Sequence, residues 1–235
     1  MKRKRRPVRR WLGRALLAVF ALFALVQAWF YGHILYWNHY EVRETSFMAQ
    51  RLKALRATRP NAELKYRWVD YPRISNHLKR AVVAAEDAKF IDHEGFDWEG
   101  IQRAIEKNQR KGKAVAGGST ISQQLAKNLF LSGERSYVRK AQEAIITLML
   151  ETSMDKRRIL EIYLNVAEWG EGVFGAEAAA RHYYGVSAAQ LDAWQAARLA
   201  AMLPRPRYYD RHRQSVYLAT YSERIRARMN AAVIP

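Results

Sequence analysis

Residues 15–32, ALLAVFALFALVQAWFYG, carry no charge, and they follow a segment holding Lys2, Arg3, Lys4, Arg5, Arg6, Arg9, Arg10 and Arg14. No other feature restricts the chain so severely. Eighteen such residues lie at the short end of what crosses a bilayer as a helix, and Trp11 to Gly13 and Ile34 to Trp37 lengthen the run. Trp29, Tyr31, Tyr36 and Trp37 gather at the far end, where an aromatic belt sits. The basic side stays in the cytoplasm, which turns the remainder outward. A cleaved leader is the alternative, but the run is long for one and no small-x-small site precedes Trp29, Phe30 and Tyr31. The expectation is a basic cytoplasmic tail over 1–14 and a retained single-pass anchor over 15–36.

The positive charge is not confined to the tail. The chain has 235 residues and a net charge of +18, of which residues 1–40 carry +8 and residues 41–235 carry +10. A basic folded part favours an anionic partner: nucleic acid, an acidic membrane surface or a phosphorylated substrate. Beside a membrane span the tail is explained by topology, and no nucleic-acid partner is expected. Cysteine is absent, which excludes disulfides, thiolate nucleophiles and thiolate metal ligands. The length suits one domain beyond the anchor.

The outer part reads as a succession of helices. A linker helix is expected over 41–59, within a membrane-proximal segment of 37–60, and Pro60 and Asn61 break it. Residues 64–71, LKYRWVDY, suggest one short strand. Ser75 or Asn76 then caps a helix with Leu78, Val82 and Glu86 on one side. Asp97 caps a helix packed by Ile101, Ala104 and Ile105, and Thr120 with Gln123 forms a capping box for a helix buried through Ile121, Leu125 and Leu129. Ser136 starts a helix that carries Lys140, Glu143, Thr147 and Glu151 down one side and packs through Ile145, Leu148 and Met149. Asp155 caps the next, with Ile159, Ile162, Tyr163 and Val166 inside and Glu161, Asn165 and Glu168 along a polar edge. Gly170, Gly172 and Gly175 open a flexible bend. Ser187 and Gln190 form a capping box for the helix that contains Trp194, read as core. Arg205, Arg207, Tyr208 and Tyr209 make a basic-aromatic exit, and a last amphipathic helix runs over roughly 214–230.

Three places could carry chemistry. Glu86 is a carboxylate on a face that should be buried, and burial raises a carboxyl pKa and makes a proton acceptor; a structural ion pair is the plainer alternative. Lys111 to Gly118 leads through two glycines into a helix N-terminus, which binds anions when its N–H groups converge, although the Walker order of Gly-Lys-Ser/Thr is missing. Arg139 and Lys140 lie four and three residues before Glu143, so they either pair with it or hold a phosphate beside it. His93 has no second histidine at ligand spacing, so a zinc site is not expected; a hydrogen bond to Glu86 or to the turn is.

Taken together, AAEDAKFIDHEGFD (84–97), GGSTISQQLAKNLF (117–130), RKAQEAIITLMLE (139–151), KRRILEIYLNVAEWGEGVFG (156–175) and AARLAAMLPRP (196–206) resemble the peptidoglycan glycosyltransferases, in the single-domain biosynthetic form. The order and spacing match, and nothing after residue 210 resembles the transpeptidase domain of bifunctional relatives. The resemblance implies a mainly α, lysozyme-like helical domain over 61–210 with a small membrane-proximal jaw, and a C-terminal basic helix over 211–235 packed on it. It implies polymerisation of lipid II, with Glu86 as general base and Glu143 as the second carboxylate. Lys127, Arg135, Arg139 and Lys140 match the cluster near the donor diphosphate. Ser119, Thr120, Gln123, Gln124 and Asn128 match the polar wall, and Asp87, Phe90, His93 and Asp97 match residues around the first carboxylate. Residues 106–118 match a mobile segment.

The residues suit that chemistry. Diphosphate leaves readily once Arg and Lys neutralise it, whereas a sugar hydroxyl needs a base with a pKa of about 6–7. Glu86 and Glu143 should therefore meet across one groove. No obligatory cofactor is expected; Mg²⁺ or Mn²⁺ could bridge Glu143 and diphosphate without a built-in metal site. The expected location is a bacterial inner membrane with the catalytic domain in the periplasm, in company with cell-wall synthases and division proteins. The rival readings are an anchored lytic muramidase, which needs no diphosphate pocket, and a non-catalytic scaffold of the wall machinery.

Overall fold

The computed structural model describes residues 6–112, 117–134 and 136–235. The charge-free run lies inside one helix, α1 (Arg6–Trp37), whose 32 residues span about 48 Å. Its segment Arg10–Trp37 is long and apolar enough to cross a membrane, with a mean hydropathy of 1.9 in the most apolar window. Leu16, Leu17, Phe20 and Leu25 have no protein against them. Only the C-terminal end of α1 docks on the rest. Phe30 and Ile34 are buried, and Trp29, Phe30 and Trp37 surround Phe130. Gln27 exchanges two side-chain hydrogen bonds, 3.1 and 2.9 Å, with Gln142 of α6 (Tyr137–Ser153). An unpaired amide in apolar surroundings is costly, so this pair sets where the two helices meet. Arg158 ties the exit of α1 down through the carbonyls of Trp37 and Tyr40. The linker helix is shorter than expected: α2 (Ser46–Arg56), capped by Thr45.

Behind α1 the helices enclose one core. α3 (Asn76–Glu86), α9 (Ala193–Met202) and α11 (Val216–Arg228) pack against one another, and α5 (Ile121–Phe130) lies against α6 and α7 (Lys156–Val166). Buried Ala196, Ala197, Ala200 and Ala201 keep the surface of α9 thin, and Leu78, Val82, Leu218 and Ile225 fill the seams. Trp169, Tyr163, Phe90 and Phe174 are the bulkiest wholly buried side chains. The helix starts follow the local signals. Ser75, Asp97, Ser136 and Asp155 each accept a backbone N–H of the first turn, and Thr120 and Gln123 close a full capping box. The Ser187–Gln190 box also forms, but it closes only a 3₁₀ turn over Ala188–Gln190. Extended Leu191 interrupts the run, and Asp192 with Gln195 makes a separate box for α9.

The glycine-rich stretch is a hairpin rather than a flexible bend. β2 (Glu168–Gly170) pairs antiparallel with β3 (Val173–Phe174), and β3 pairs parallel with β1 (Lys65–Tyr66), Lys65 opposite Val173. Gly175 has φ +84°, and a Cβ there would lie 2.5 Å from the Asn165 carbonyl oxygen; glycine alone fits such a backbone. Asn165 is wholly buried, and its amide clamps the N–H and carbonyl of Val69, each at 2.9 Å. Glu168 is buried too. The expected polar edge of α7 thus points inward at its end, where the Val69 backbone pairs with Asn165 and Arg51 pairs with one oxygen of Glu168.

Three packing expectations are corrected. On α6 the buried side is Glu143, Ile146, Thr147 and Leu150, while Leu148 is 51% exposed, because Arg139 and Lys140 pair with Glu143 and let that polar stripe face inward. Trp194 is 47% exposed; Arg198 covers its face and Tyr184 meets its edge. Ile105 is 52% exposed, since α4 (Trp98–Lys111) buries only Ala104 fully.

Candidate active site

The site grows from the end of α3. The helix stops at Glu86, and Asp87 leaves helical geometry as its C-cap. This turn points the two neighbouring carboxylates in different directions. Asp87 accepts the backbone N–H of Ile121 at 3.0 Å and the Nε2–H of His93 at 2.9 Å. Gly95 donates its N–H to His93 Nδ1 at 3.1 Å, which leaves Nε2 as the nitrogen that carries the proton. Thr120 Oγ1 donates to the Gly95 carbonyl at 2.7 Å while capping α5. His93 therefore holds Asp87 and the turn, not Glu86. Gly118 lies against α4, where a Cβ would come within 3.1 Å of the Ile101 Cα.

Among the described residues Glu86 itself takes one hydrogen bond, from Gln124 Nε2 to Oε2 at 2.8 Å. The Gln124 carbonyl accepts the hydroxyl of Tyr163 at 3.0 Å. Burial pushes the Glu86 carboxyl above the usual range; the Gln124 bond and the charge of Lys127 pull it back, and Asp87 adds to the rise. Burial of the Tyr163 hydroxyl keeps it protonated far above its ordinary range. Lys127, one turn after Gln124 on α5, is lowered by burial and feels Glu143, Arg139, Lys140 and Glu86. Glu143 is 3% exposed. Its two oxygens are taken by Arg139, at 2.6 Å, and by Lys140. The buried Arg139 Nε has no hydrogen-bond partner among the described residues.

Two cavities adjoin these groups. A smaller one, about 230 Å³, is lined by Glu86, Asp87, Asp97, Ser119, Thr120 and Arg228. A larger one, about 510 Å³, is lined by Gln124, Lys127, Asn128, Tyr163 and the Leu203–Tyr208 stretch, among others. Glu143, Arg139 and Lys140 line neither. Neither of these two cavities brings the two carboxylates together, and the charge of each acts on Lys127. Phe90 is wholly buried, behind His93 and Lys156, with none of its ring on a cavity wall. Gln123 is buried and spent on the capping box. Arg135, and residues 113–116 of the segment expected to be mobile, lie outside the described residues. Among those described, no cluster of three His, Asp or Glu side chains could hold a metal.

The residues matching the family model for transglycosylases run from 52 to 232. A biosynthetic peptidoglycan transglycosylase of Laribacter hongkongensis (strain HLHK9) is 62% identical over 96% of this chain and 99% of that protein. Those of Dechloromonas aromatica (strain RCB) and Azoarcus sp. (strain BH72) are 63% and 62% identical, each over 96% of this chain and 98% and 97% of their own lengths. The chain belongs to the biosynthetic peptidoglycan transglycosylases. As a transglycosylase it is a glycosyltransferase, and its mainly helical fold with one apolar N-terminal helix is the architecture the resemblance implied.

Sequence reasoning missed part of this transglycosylase's site. Tyr163 was read as packing alone, yet its hydroxyl orients Gln124. Arg51, Glu168 and Arg228 reach the cavity walls from segments far apart in the chain. The only signal was the Arg205-Arg207-Tyr208 cluster, whose charge and aromatic content suited a ligand wall.

Proposed function

We propose that this transglycosylase polymerises lipid II into β-1,4-linked glycan and releases undecaprenyl diphosphate. The observation that carries the reading is a part-buried carboxylate held by Gln124, Glu86, and a second held by two cations, Glu143, with Lys127 under the charge of both. Glu86 takes the proton of the acceptor sugar's 4-hydroxyl. The oxygen attacks C1 of the donor, the C1–O bond to diphosphate breaks, and its electron pair leaves with the phosphate. A single displacement inverts the anomeric centre from α to β. Lys127, Arg139 and Lys140, joined by Arg135, offset the charge that develops on the leaving group. The unpartnered Nε–H of Arg139 supports this, since a diphosphate oxygen would satisfy it. Glu143 orients Arg139 and Lys140.

Both oxygens of Glu143 already accept from cations, so the side chain does not fit a resident Mg²⁺ or Mn²⁺. Any divalent cation would arrive on the diphosphate. Residues 15–36 act as a single-pass anchor in a bacterial inner membrane, with 1–14 in the cytoplasm and the catalytic domain in the periplasm. There it works on its lipid substrate and the growing chain, beside other wall synthases and division proteins. The test incubates wild type and Glu86→Gln with lipid II and, separately, with finished glycan. Polymer should form only from lipid II and only with wild type; consumption of finished glycan alone would reject the reading in favour of a muramidase.

A further inference from the structure

The larger cavity contains a carboxylate that the reaction above does not use. Glu168 is 6% exposed, and its Oε2 accepts the Arg51 Nε–H at 3.1 Å. Its Oε1 is buried with no hydrogen-bond partner among the described residues. Leaving such an atom unpaired forfeits its solvation with nothing in return, so an orphaned acceptor in a cavity wall is a place for a ligand's donor. The rest of the wall sharpens the choice. Arg51, Lys127, Arg205, Arg207 and Arg211 are donors only. Glu168 is the one carboxylate among the described lining residues. A ligand filling this space presents several acceptors to the cations and a donor to Glu168. About 510 Å³ falls within the range of small-molecule sites.

We propose that Glu168 is a substrate-positioning residue whose Oε1 accepts the acetamido N–H of an N-acetylated sugar seated in this cavity, while the arginines take that sugar's oxygens. An acetamido group supplies the required pair, an N–H donor beside a carbonyl acceptor. A plain hydroxyl must serve both partners from one oxygen, whereas the acetamido group carries its donor and its acceptor on separate atoms that can reach Glu168 and an arginine at once. Burial also raises the Glu168 carboxyl, with Arg51 and Arg207 opposing the rise. The cavity shares Gln124 and Lys127 with the surroundings of Glu86, so a sugar held by Glu168 would be placed in register with the reacting end. The assignment rests on the glycan-polymerising reading of the site.

The test is calorimetric titration of the full chain in detergent with a tetramer of β-1,4-linked N-acetylglucosamine and, in parallel, with cellotetraose, which carries hydroxyls in place of the acetamido groups. Wild type should prefer the N-acetylated tetramer by about tenfold. Glu168→Gln keeps the volume and a carbonyl for Arg51 but turns an amide donor toward the ligand; it should abolish the preference. Glu168→Asp, which withdraws the oxygen, should do the same and serves if the first variant folds poorly. With lipid II, a variant should show about a tenfold higher KM at a kcat within twofold. A lowered Tm with an unchanged preference would mean a purely structural carboxylate and overturn the proposal, as would a wild type that binds both tetramers equally. A wild type that prefers the N-acetylated tetramer yet leaves lipid II unconsumed overturns the polymerase reading instead.

Discussion

Gln124 links Glu86 to Tyr163: its amide N–H donates to Glu86 Oε2 at 2.8 Å, and its carbonyl accepts the Tyr163 hydroxyl at 3.0 Å. The tyrosine fixes which end of the amide faces the carboxylate. That bond favours the charged form of Glu86, against the burial that disfavours it. Gln124→Leu removes the opposing contribution and raises the Glu86 pKa further. The acid limb of the pH–rate profile should move to higher pH, with the rate at high pH less affected. An unshifted limb would show that Glu86 is not the group titrating there.

Glu86→Gln should abolish polymerisation and yet stabilise the fold. The folded-state pKa of Glu86 lies above its unfolded value, so the folded state binds this proton more tightly. The carboxylate's penalty on folding therefore grows as pH rises from the unfolded to the folded pKa and is complete above it; it fades as pH falls below the folded pKa and is gone below the unfolded one. Gln resembles the protonated form. The variant's Tm should exceed wild type by about 2–4 °C at neutral pH, and the difference should vanish in acid. Thermal melts across pH measure both points.

Glu143→Gln removes the charge that Arg139 and Lys140 share. Breaking a largely buried pair costs about 3 kcal/mol at most where one partner is part-exposed, as Lys140 is. Turnover should fall by about 10²-fold, the scale of losing one oriented electrostatic contribution. Stopped assays with lipid II, alongside melts, separate the two effects; near-normal turnover would remove the second carboxylate from the mechanism.

Gly175→Ala places a Cβ 2.5 Å from the Asn165 carbonyl oxygen at φ +84°. Strain of this kind costs about 1–3 kcal/mol before the clash is counted. A clear drop in denaturation midpoint is expected, and because the hairpin carries Glu168, the larger cavity should be disturbed with it.

Deleting residues 1–36 should release the protein from membranes while some activity persists in detergent. The deletion also bares Phe130, which Trp29 and Phe30 cover, so the shortened chain should need detergent to stay monomeric. Flotation with vesicles and light scattering test these outcomes; full membrane retention would locate a second attachment surface.

The helix starts at Asp97, Thr120, Ser136 and Asp155 were legible because a cap is a bond between residues three apart in sequence. The long apolar helix was legible because a run free of charge needs no partner to be recognised. Glu86 and the Gly-Gly-Ser-Thr turn were singled out through periodicity and resemblance together. The rest depended on distance along the chain. Trp194 and Leu148 were misplaced because periodicity shows which residues share a face, not which face meets a neighbour. Glu168 was read only as part of a polar edge because its partner, Arg51, lies 117 residues earlier.

From its residues alone this protein had its long apolar N-terminal helix, its succession of capped helices and the two carboxylates proposed for its chemistry, all of which are properties of short segments. Only packing decided that Glu86 is orientated by Gln124 and Tyr163, that Lys127 feels both carboxylates, and that Glu168 lines a cationic cavity with one oxygen to spare. Proton affinity and hydrogen-bond satisfaction depend on what excludes water from a group, and the groups that do so here arrive from segments far apart in the chain.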